Sequence, residues 1–418
     1  MTAVSRAGWM PAAVPADGAV RASPVVRAAL YLFVLSIPFE LPGATIPLEI
    51  PTLTGFLFLG TTLLNPSACY RRIPAALLWF VGYLWVFGVA TYVNGVDDGS
   101  AVFRLFIAMV QLVVLFWVIV NLLADRRVLG GVLLSLVAAC TVRAGMQLLG
   151  MGATAREVWT GGARVTALGQ NANLSAIILA AALVAVLGLR GRSHRDLPRI
   201  GLLAWPLAAL FGAAIIQTGS RGGLLCAAAG IVVFLLRGRT PGQRLRHGLL
   251  ALLAVGALAW GAYRSELMRN RFESAAREGN LAGRERIYPA GLAMVRERPL
   301  LGWGPIANQA EIAARVDRLQ DGRRDAHNLV LELLTTTGLI GTVPFLIALA
   351  LCVGNTWRSR AGPAGVLPLA LLVAVLVGTI MGTWIASKIL WLALAVAAGA
   401  PTPASAVVPK RSVLPCAA

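Results

Sequence analysis

The segment "DAHNLVLELLTTTGLIG", residues 325–341, places a histidine and an asparagine where a charged connection runs into an apolar stretch. His327 is one of only three histidines in the chain; His194 and His247 lie in basic connections, where a solvated loop residue is expected. An imidazole with an ordinary pKa near ~6.5 is a natural proton acceptor at neutral pH, although position alone also fits an interfacial or helix-capping residue. Arginines supply the second chemistry. "QTGSRGGLL" puts Arg221 in a tight turn among Gly219, Gly222 and Gly223, and Arg284 and Arg286 open "GRERIYPAGLAMVRERP". Arg143 lies inside an apolar stretch, where a charge requires an anionic partner or a wet cavity. A guanidinium that keeps its proton suits a phosphate dianion held at a membrane surface. For Arg286 and Arg298, an ion pair with a nearby carboxylate such as Glu285 is the preferred reading. A base with convergent arginines points to group transfer from a lipid phosphate to a hydroxyl, the arginines neutralising the departing diphosphate.

Those residues need elements to hold them, and composition says which kind. The 418 residues are 58% hydrophobic and only 13% charged, too apolar for a soluble two-domain protein. Backbone polar groups cannot be left unpaired in lipid, and the apolar runs are continuous rather than alternating, so the spans are expected to be helices. About twelve follow, near 25–41, 51–65, 74–93, 101–123, 128–149, 171–189, 200–218, 222–237, 247–263, 328–352, 366–386 and 388–400. Arg71 and Arg72, Arg126 and Arg127, the runs from Arg190 and Arg237, Arg358 and Arg360, and Lys410 with Arg411 occupy alternate connections. The intervening turns carry Glu40, Glu49, Asp97 and Asp98. Basic connections face the cytoplasm, so both termini are expected inside, and the net charge of +19 reads as topology and contact with membrane lipid, not nucleic-acid binding.

Five intervals result: a disordered cytoplasmic tail over 1–24, spans one to nine over 25–263, a polar connection over 264–326, spans ten to twelve over 327–400, and a tail over 401–418. The 264–326 connection is too long for a turn and is expected to form a helical cap on the outer face. Within it an amphipathic helix presents Ile287, Leu292 and Val295 on or near one face and stops at Pro299, "LLGWGP" makes a rigid turn, and "QAEIAARVDRL" forms a second short helix. Cys69 and Cys416 fall in cytoplasmic connections, and Cys140, Cys226 and Cys352 in spans, so no disulfide or zinc site is implied. Asp97 and Asp98 read as a solvated turn, and no metal or other cofactor is expected.

The histidine segment also resembles a signature of the O-antigen ligase superfamily, with His327, Asn328, Gly338 and Gly341 in register. "GRERIYPAGLAMVRERPLLGWGP" resembles the family's preceding segment, "GSRGGLL" its Ser-Arg-Gly turn, and "GQNANLSAIILA" its Asn-bearing start of a middle span, where Asn171 lies. The ordered set covers roughly residues 165–350. The resemblance implies an all-α, GT-C-like glycosyltransferase of the bacterial inner membrane, acting on the periplasmic side. In ligases the donor is an undecaprenyl diphosphate-linked glycan and the acceptor the outer-core sugar of lipid A-core. By that pattern His327 matches the catalytic histidine, and Arg221 and Arg284 the essential arginines. Asn171, Asn328, Arg286 and, on physical grounds alone, Arg143 are further candidates for donor contacts. Gly338 and Gly341, one turn apart, are expected to let the tenth span pack closely and fix His327. Related polymerases and oligosaccharyltransferases share the histidine segment, so the acceptor stays open; a lipid-linked glycan flippase is the reading of another class, and it would not need His327.

Overall fold

The computed structural model describes residues 22–41, 49–95, 98–158, 162–190, 200–237, 240–279, 281–316, 322–362 and 364–401. The first 21 residues, His194, Asp97 and the tail beyond residue 401 lie outside this set, and with them the expectations placed there. The chain is nearly all helical. It begins with α1 (Pro24–Ser36), α2 (Ile50–Thr62), the single turn α3 (Pro66–Cys69), α4 (Ala75–Asn94), α5 (Gly99–Leu122) and α6 (Arg126–Leu148). A hairpin of β1 (Ala153–Val158) and β2 (Gly162–Ala167) leads into α7 (Ala172–Arg190), α8 (Ala204–Gln217), α9 (Arg221–Val233) and α10 (Pro241–Arg264). Three shorter helices follow, α11 (Glu266–Glu278), α12 (Arg284–Glu297) and α13 (Ala307–Val316), before α14 (Leu329–Ser359), α15 (Leu367–Ile380) and α16 (Lys388–Ala398).

Every apolar stretch of the sequence carries a helix. Six are long and apolar enough to cross a membrane: Ala75–Asn94, Gly99–Leu122, Arg126–Leu148, Ala172–Arg190, Pro241–Arg264 and Leu329–Ser359. The remaining six positions hold shorter apolar helices. Their starts are chemically marked, since Ser23, Asp98, Asp125, Ser220, Thr240, Ser265 and Asn328 each turn a side-chain oxygen onto a free N–H of the helix that follows.

The centre of the bundle is α7, buried at every residue except Asn173, Leu187 and Arg190 and surrounded by α6, α8, α9 and α15. Its alanines receive glycines from its neighbours: a Cβ on Gly223 would stand 2.2 Å from that of Ala176, and one on Gly230 2.4 Å from Val184. Small residues allow the backbones this close, which is how helices gain dispersion contacts where lipid removes the hydrophobic drive. Phe80, Phe116, Phe345 and Trp391 interlock α4, α5, α14 and α16 in a second cluster.

The two sorts of connection gather at opposite ends. At the C-terminal end of α5, Asn121 accepts the Arg72 N–H at 2.8 Å; at its N-terminal end, Asp98 caps the helix and pairs with Arg323. Asp98 is therefore a cap and ion-pair partner while remaining partly exposed to solvent, as expected of a turn residue. At that same end the Lys388 ammonium is buried between Glu40 (2.9 Å) and Glu49 (2.7 Å), a triad that the sequence reading left as separate turn anions.

The hairpin departs from a wholly α fold. Its six-residue strands pair antiparallel from Ala153–Ala167 to Val158–Gly162, too short for a period-two pattern to stand out in a chain dominated by helical runs. Within 264–326, α12 buries Ile287, Gly291 and Met294 while Leu292 is exposed, correcting the face predicted for it. Ile287, Met294, Ile312, Ala326 and Leu331 form a small core of their own that ties α12 and α13 to the start of α14. Of the five cysteines, the four described are free and buried.

Candidate functional site

Residues 322–326 run without regular structure onto α13 and α14, held at alternate N–H groups. The Arg324 N–H donates to the Gln309 carbonyl at 3.0 Å, and the Ala326 N–H to Glu332 Oε2 at 3.1 Å. Ala326 is fully buried in the small core, which leaves room for nothing larger. His327 then adopts φ +51°, a left-handed conformation that costs a non-glycine residue about 1–3 kcal/mol and persists only where its surroundings over-determine it. Its carbonyl accepts from the Tyr288 hydroxyl at 3.4 Å. Asn328 caps α14, accepting from the N–H groups of Val330 (2.9 Å) and Leu331 (3.1 Å), while its amide donates to the Ile380 carbonyl at 3.3 Å.

The imidazole is half-buried. Burial, then the charges of Arg284 and Arg324, lower its pKa from 6.5 to about 4, so it stands neutral and ready to take a proton. A bound diphosphate would offset the arginine charge and raise the value again. With His327 as the base, activity would require the neutral ring, so the acid limb of kcat/KM, which reports free enzyme, is expected to have its midpoint near 4, and the limb of kcat to lie at higher pH. A kcat/KM limb at or above the ordinary histidine value would contradict this environment.

Arg221 is placed by a turn that needs its glycines. Gly219 has φ +64°, and the Arg164 guanidinium of β2 donates to the Thr218 carbonyl and to Asn173 Oδ1, both at 2.9 Å. Ser220 donates to the same Asn173 oxygen at 2.9 Å and caps α9 by accepting the Gly223 N–H at 3.1 Å. From there Arg221 reaches across to the Arg271 carbonyl at 2.9 Å. Arg284 follows Ala282 and Gly283, both at positive φ, and donates to the carbonyls of Leu281 and Met381. Its Nε is buried with no partner among the described residues.

Arg271 is the third member, buried on α11 beside Met268, a role absent from the sequence reading. Burial pushes its pKa down, and the charges acting on it are those of Arg221 and Arg284. The charges of Arg221, Arg271 and Arg284 thus act on one another, and that of Arg284 also acts on His327. Like charges gathered this way are costly unless an anion completes them. The signal that could have found Arg271 is its spacing, three residues after Met268 on the buried face of an amphipathic helix.

The other candidates go elsewhere. Arg143 is 1% exposed and donates to Ser175 Oγ at 2.6 Å between α6 and α7; no described contact joins it to Arg221, Arg271, Arg284 or His327. Its described partner is a hydroxyl, where the sequence led to the expectation of an anionic partner or a wet cavity. Asn171 caps α7 through the N–H groups of Asn173 and Leu174. Arg286, two residues from Arg284, is exposed. Arg298 donates to Asn94 Oδ1 at 2.6 Å and stacks 4.0 Å over Trp303 in place of a carboxylate pairing.

Two apolar grooves flank the cluster. One, of about 510 Å³, runs from Tyr288 and Asn328 down between α14 and α15 past Leu346 and Leu376. The other, of about 560 Å³, lies between α9, α10 and α11, lined by Leu224, Leu258 and Phe272 with Arg269 at its rim.

Six helices long and apolar enough to cross a bilayer, in a nearly all-α chain, are consistent with a polytopic membrane protein. The sequence pattern of the O-antigen ligase family matches residues 206–346, the stretch that carries Arg221, Arg271, Arg284 and His327. Over that stretch the chain is similar to the O-antigen ligase family, whose members are glycosyltransferase-like enzymes acting on lipid-linked glycans. No curated protein matches it.

Proposed function

We propose that the protein is an O-antigen ligase that transfers glycan from undecaprenyl diphosphate to the outer-core sugar of lipid A-core at the periplasmic face of the inner membrane. The observation that supports this reading is the chain of contact and charge in which Arg221 donates to the Arg271 backbone, Arg284 acts on both, and Arg284 also acts on half-buried His327. His327 accepts the proton of the acceptor hydroxyl as that oxygen bonds the anomeric carbon. The bond from that carbon to the diphosphate breaks, and the arginines take up the charge left on the undecaprenyl diphosphate. Direct displacement by the hydroxyl inverts the anomeric configuration. Both substrates are lipid-anchored, and the two grooves beside the cluster give two tails a way in from the bilayer. The basic connections at the opposite end support a periplasmic site by the positive-inside rule. With guanidiniums in the place of a cation, transfer is metal-independent.

The lipopolysaccharide of a deletion strain tests this reading. Ligase loss leaves lipid A-core bare and long chains on undecaprenyl diphosphate. A core-plus-one-unit band would assign the protein to the polymerases instead. Transfer by purified protein is expected to continue in EDTA, and restoration of a lost activity by magnesium or manganese would defeat the metal-independent mechanism.

A further inference from the structure

Glu332 lies one turn into α14 and is buried, an expensive place for a carboxylate unless every oxygen is satisfied. Four elements converge to satisfy it. Asn308 of α13 donates to Oε1 at 2.9 Å, and Thr336 of α14 approaches the same oxygen at 3.5 Å. On Oε2 stand the Ala326 N–H at 3.1 Å and Thr383, from the α15–α16 turn, at 3.5 Å. The Ala326 N–H belongs to the Asp325–Ala326 peptide, one residue before His327, and Tyr288 holds the carbonyl of His327 itself. A left-handed histidine relaxes unless both sides are pinned. Asn308 is itself fully buried, and its other tie is to Thr335 at 3.3 Å.

We propose that Glu332 is a positioning residue for His327: through the Ala326 N–H it holds the imidazole in the strained turn facing Arg284, and through Asn308 it makes that turn depend on α13 being docked. The proposal rests on the reading of His327 as the base. A residue with no better purpose than packing would be apolar here, since a well-packed hydrophobic group of similar volume avoids the desolvation of a buried charge.

The test uses full-length protein with His194→Gln and His247→Gln, so that His327 is the sole histidine. Its carbethoxylation by diethyl pyrocarbonate reports how the ring is held, with no substrate present. Glu332→Gln leaves an amide N–H₂ facing donors, and Glu332→Asp keeps the charge but cannot reach both Asn308 and Ala326. In each, modification is expected to become several-fold faster as the turn relaxes, with kcat down by about 10²-fold and donor KM unchanged, the scale of a catalytic group misplaced by about 1 Å. The arms share no defect in common but position, so one variant that folds, judged by a monodisperse elution and native tryptophan fluorescence, is sufficient. Parental reactivity of His327, or faster modification with parental kcat, overturns the proposal. An error in the underlying reading would show differently, as transfer surviving His327→Ala while the Glu332 variants still alter reactivity.

Discussion

His327→Ala protein is expected to bind undecaprenyl diphosphate-linked glycan and fail to transfer it, with turnover down about 10²–10⁴-fold, the usual contribution of a general base. The imidazole makes no described hydrogen bond that holds the fold together: the Tyr288 contact is to its carbonyl, and the helix is capped by Asn328. Loss of activity should therefore come without loss of structure. His327→Gly sharpens the comparison, because glycine adopts φ +51° freely and removes the backbone strain. It should match or exceed the parent in thermal stability while being equally inactive. Arg221→Ala and Arg284→Ala should instead weaken donor binding together with turnover, and lysine should rescue poorly because the planar fork is lost. Near-normal transfer by His327→Ala would remove the histidine from the mechanism.

The largest structural effect is expected at Gly338. Its φ of 60° and ψ of −163° fall in a region open essentially to glycine alone, and they break α14 in the middle of an apolar run. The break exposes the carbonyls of Thr335 and Thr336, which accept the N–H groups of Trp303 (2.7 Å) and Gly304 (2.9 Å). It also frees the N–H groups of Leu339 and Ile340, which donate to Pro299 (2.8 Å) and Leu300 (3.1 Å). The "LLGWGP" turn is thus hooked into the helix by four backbone hydrogen bonds. A Cβ on Gly338 would lie 2.2 Å from the Leu300 carbonyl oxygen, backbone that cannot step aside. Strain of about 1–3 kcal/mol and overpacking of a similar size put the cost of Gly338→Ala at about 2–6 kcal/mol, with transfer lost as α12 and the His327 turn part from α14. Gly354→Ala on the same helix, where a Cβ meets open space, should be neutral or slightly stabilising. A Gly338→Ala protein as heat-stable and active as the Gly354→Ala protein would refute the hook.

Glycine 338 also marks where sequence reading reached its limit. A glycine pair one turn apart was expected to bring helices together, and Gly341 does stand against α4, where a Cβ would come within 3.2 Å of Val86. Gly338 serves a different purpose, decided by a turn more than thirty residues earlier in the chain. Asn328 and Asn171 carry a duty that their sequence context did not reveal: each accepts N–H groups at the start of a helix.

The sequence by itself determined the apolar stretches, the alternation of basic connections, the long polar interval before the tenth stretch, and the histidine at its far edge. Those features are local sums: twenty apolar residues favour lipid whatever their neighbours, and a row of arginines resists crossing it. Only the tertiary structure decided which arginines meet. Arg143 and Arg221 both looked poised for an anion, but the rotation of each helix about its axis turns Arg143 toward Ser175 and Arg221 toward Arg271. For the helix of Arg221 that rotation is set by packing, by Gly223 against Ala176 and Gly230 against Val184, and such contacts join residues some fifty positions apart. The strained turn at His327 and the carboxylate of Glu332 beneath it belong to the same class, for each is stable only because distant segments hold it in place.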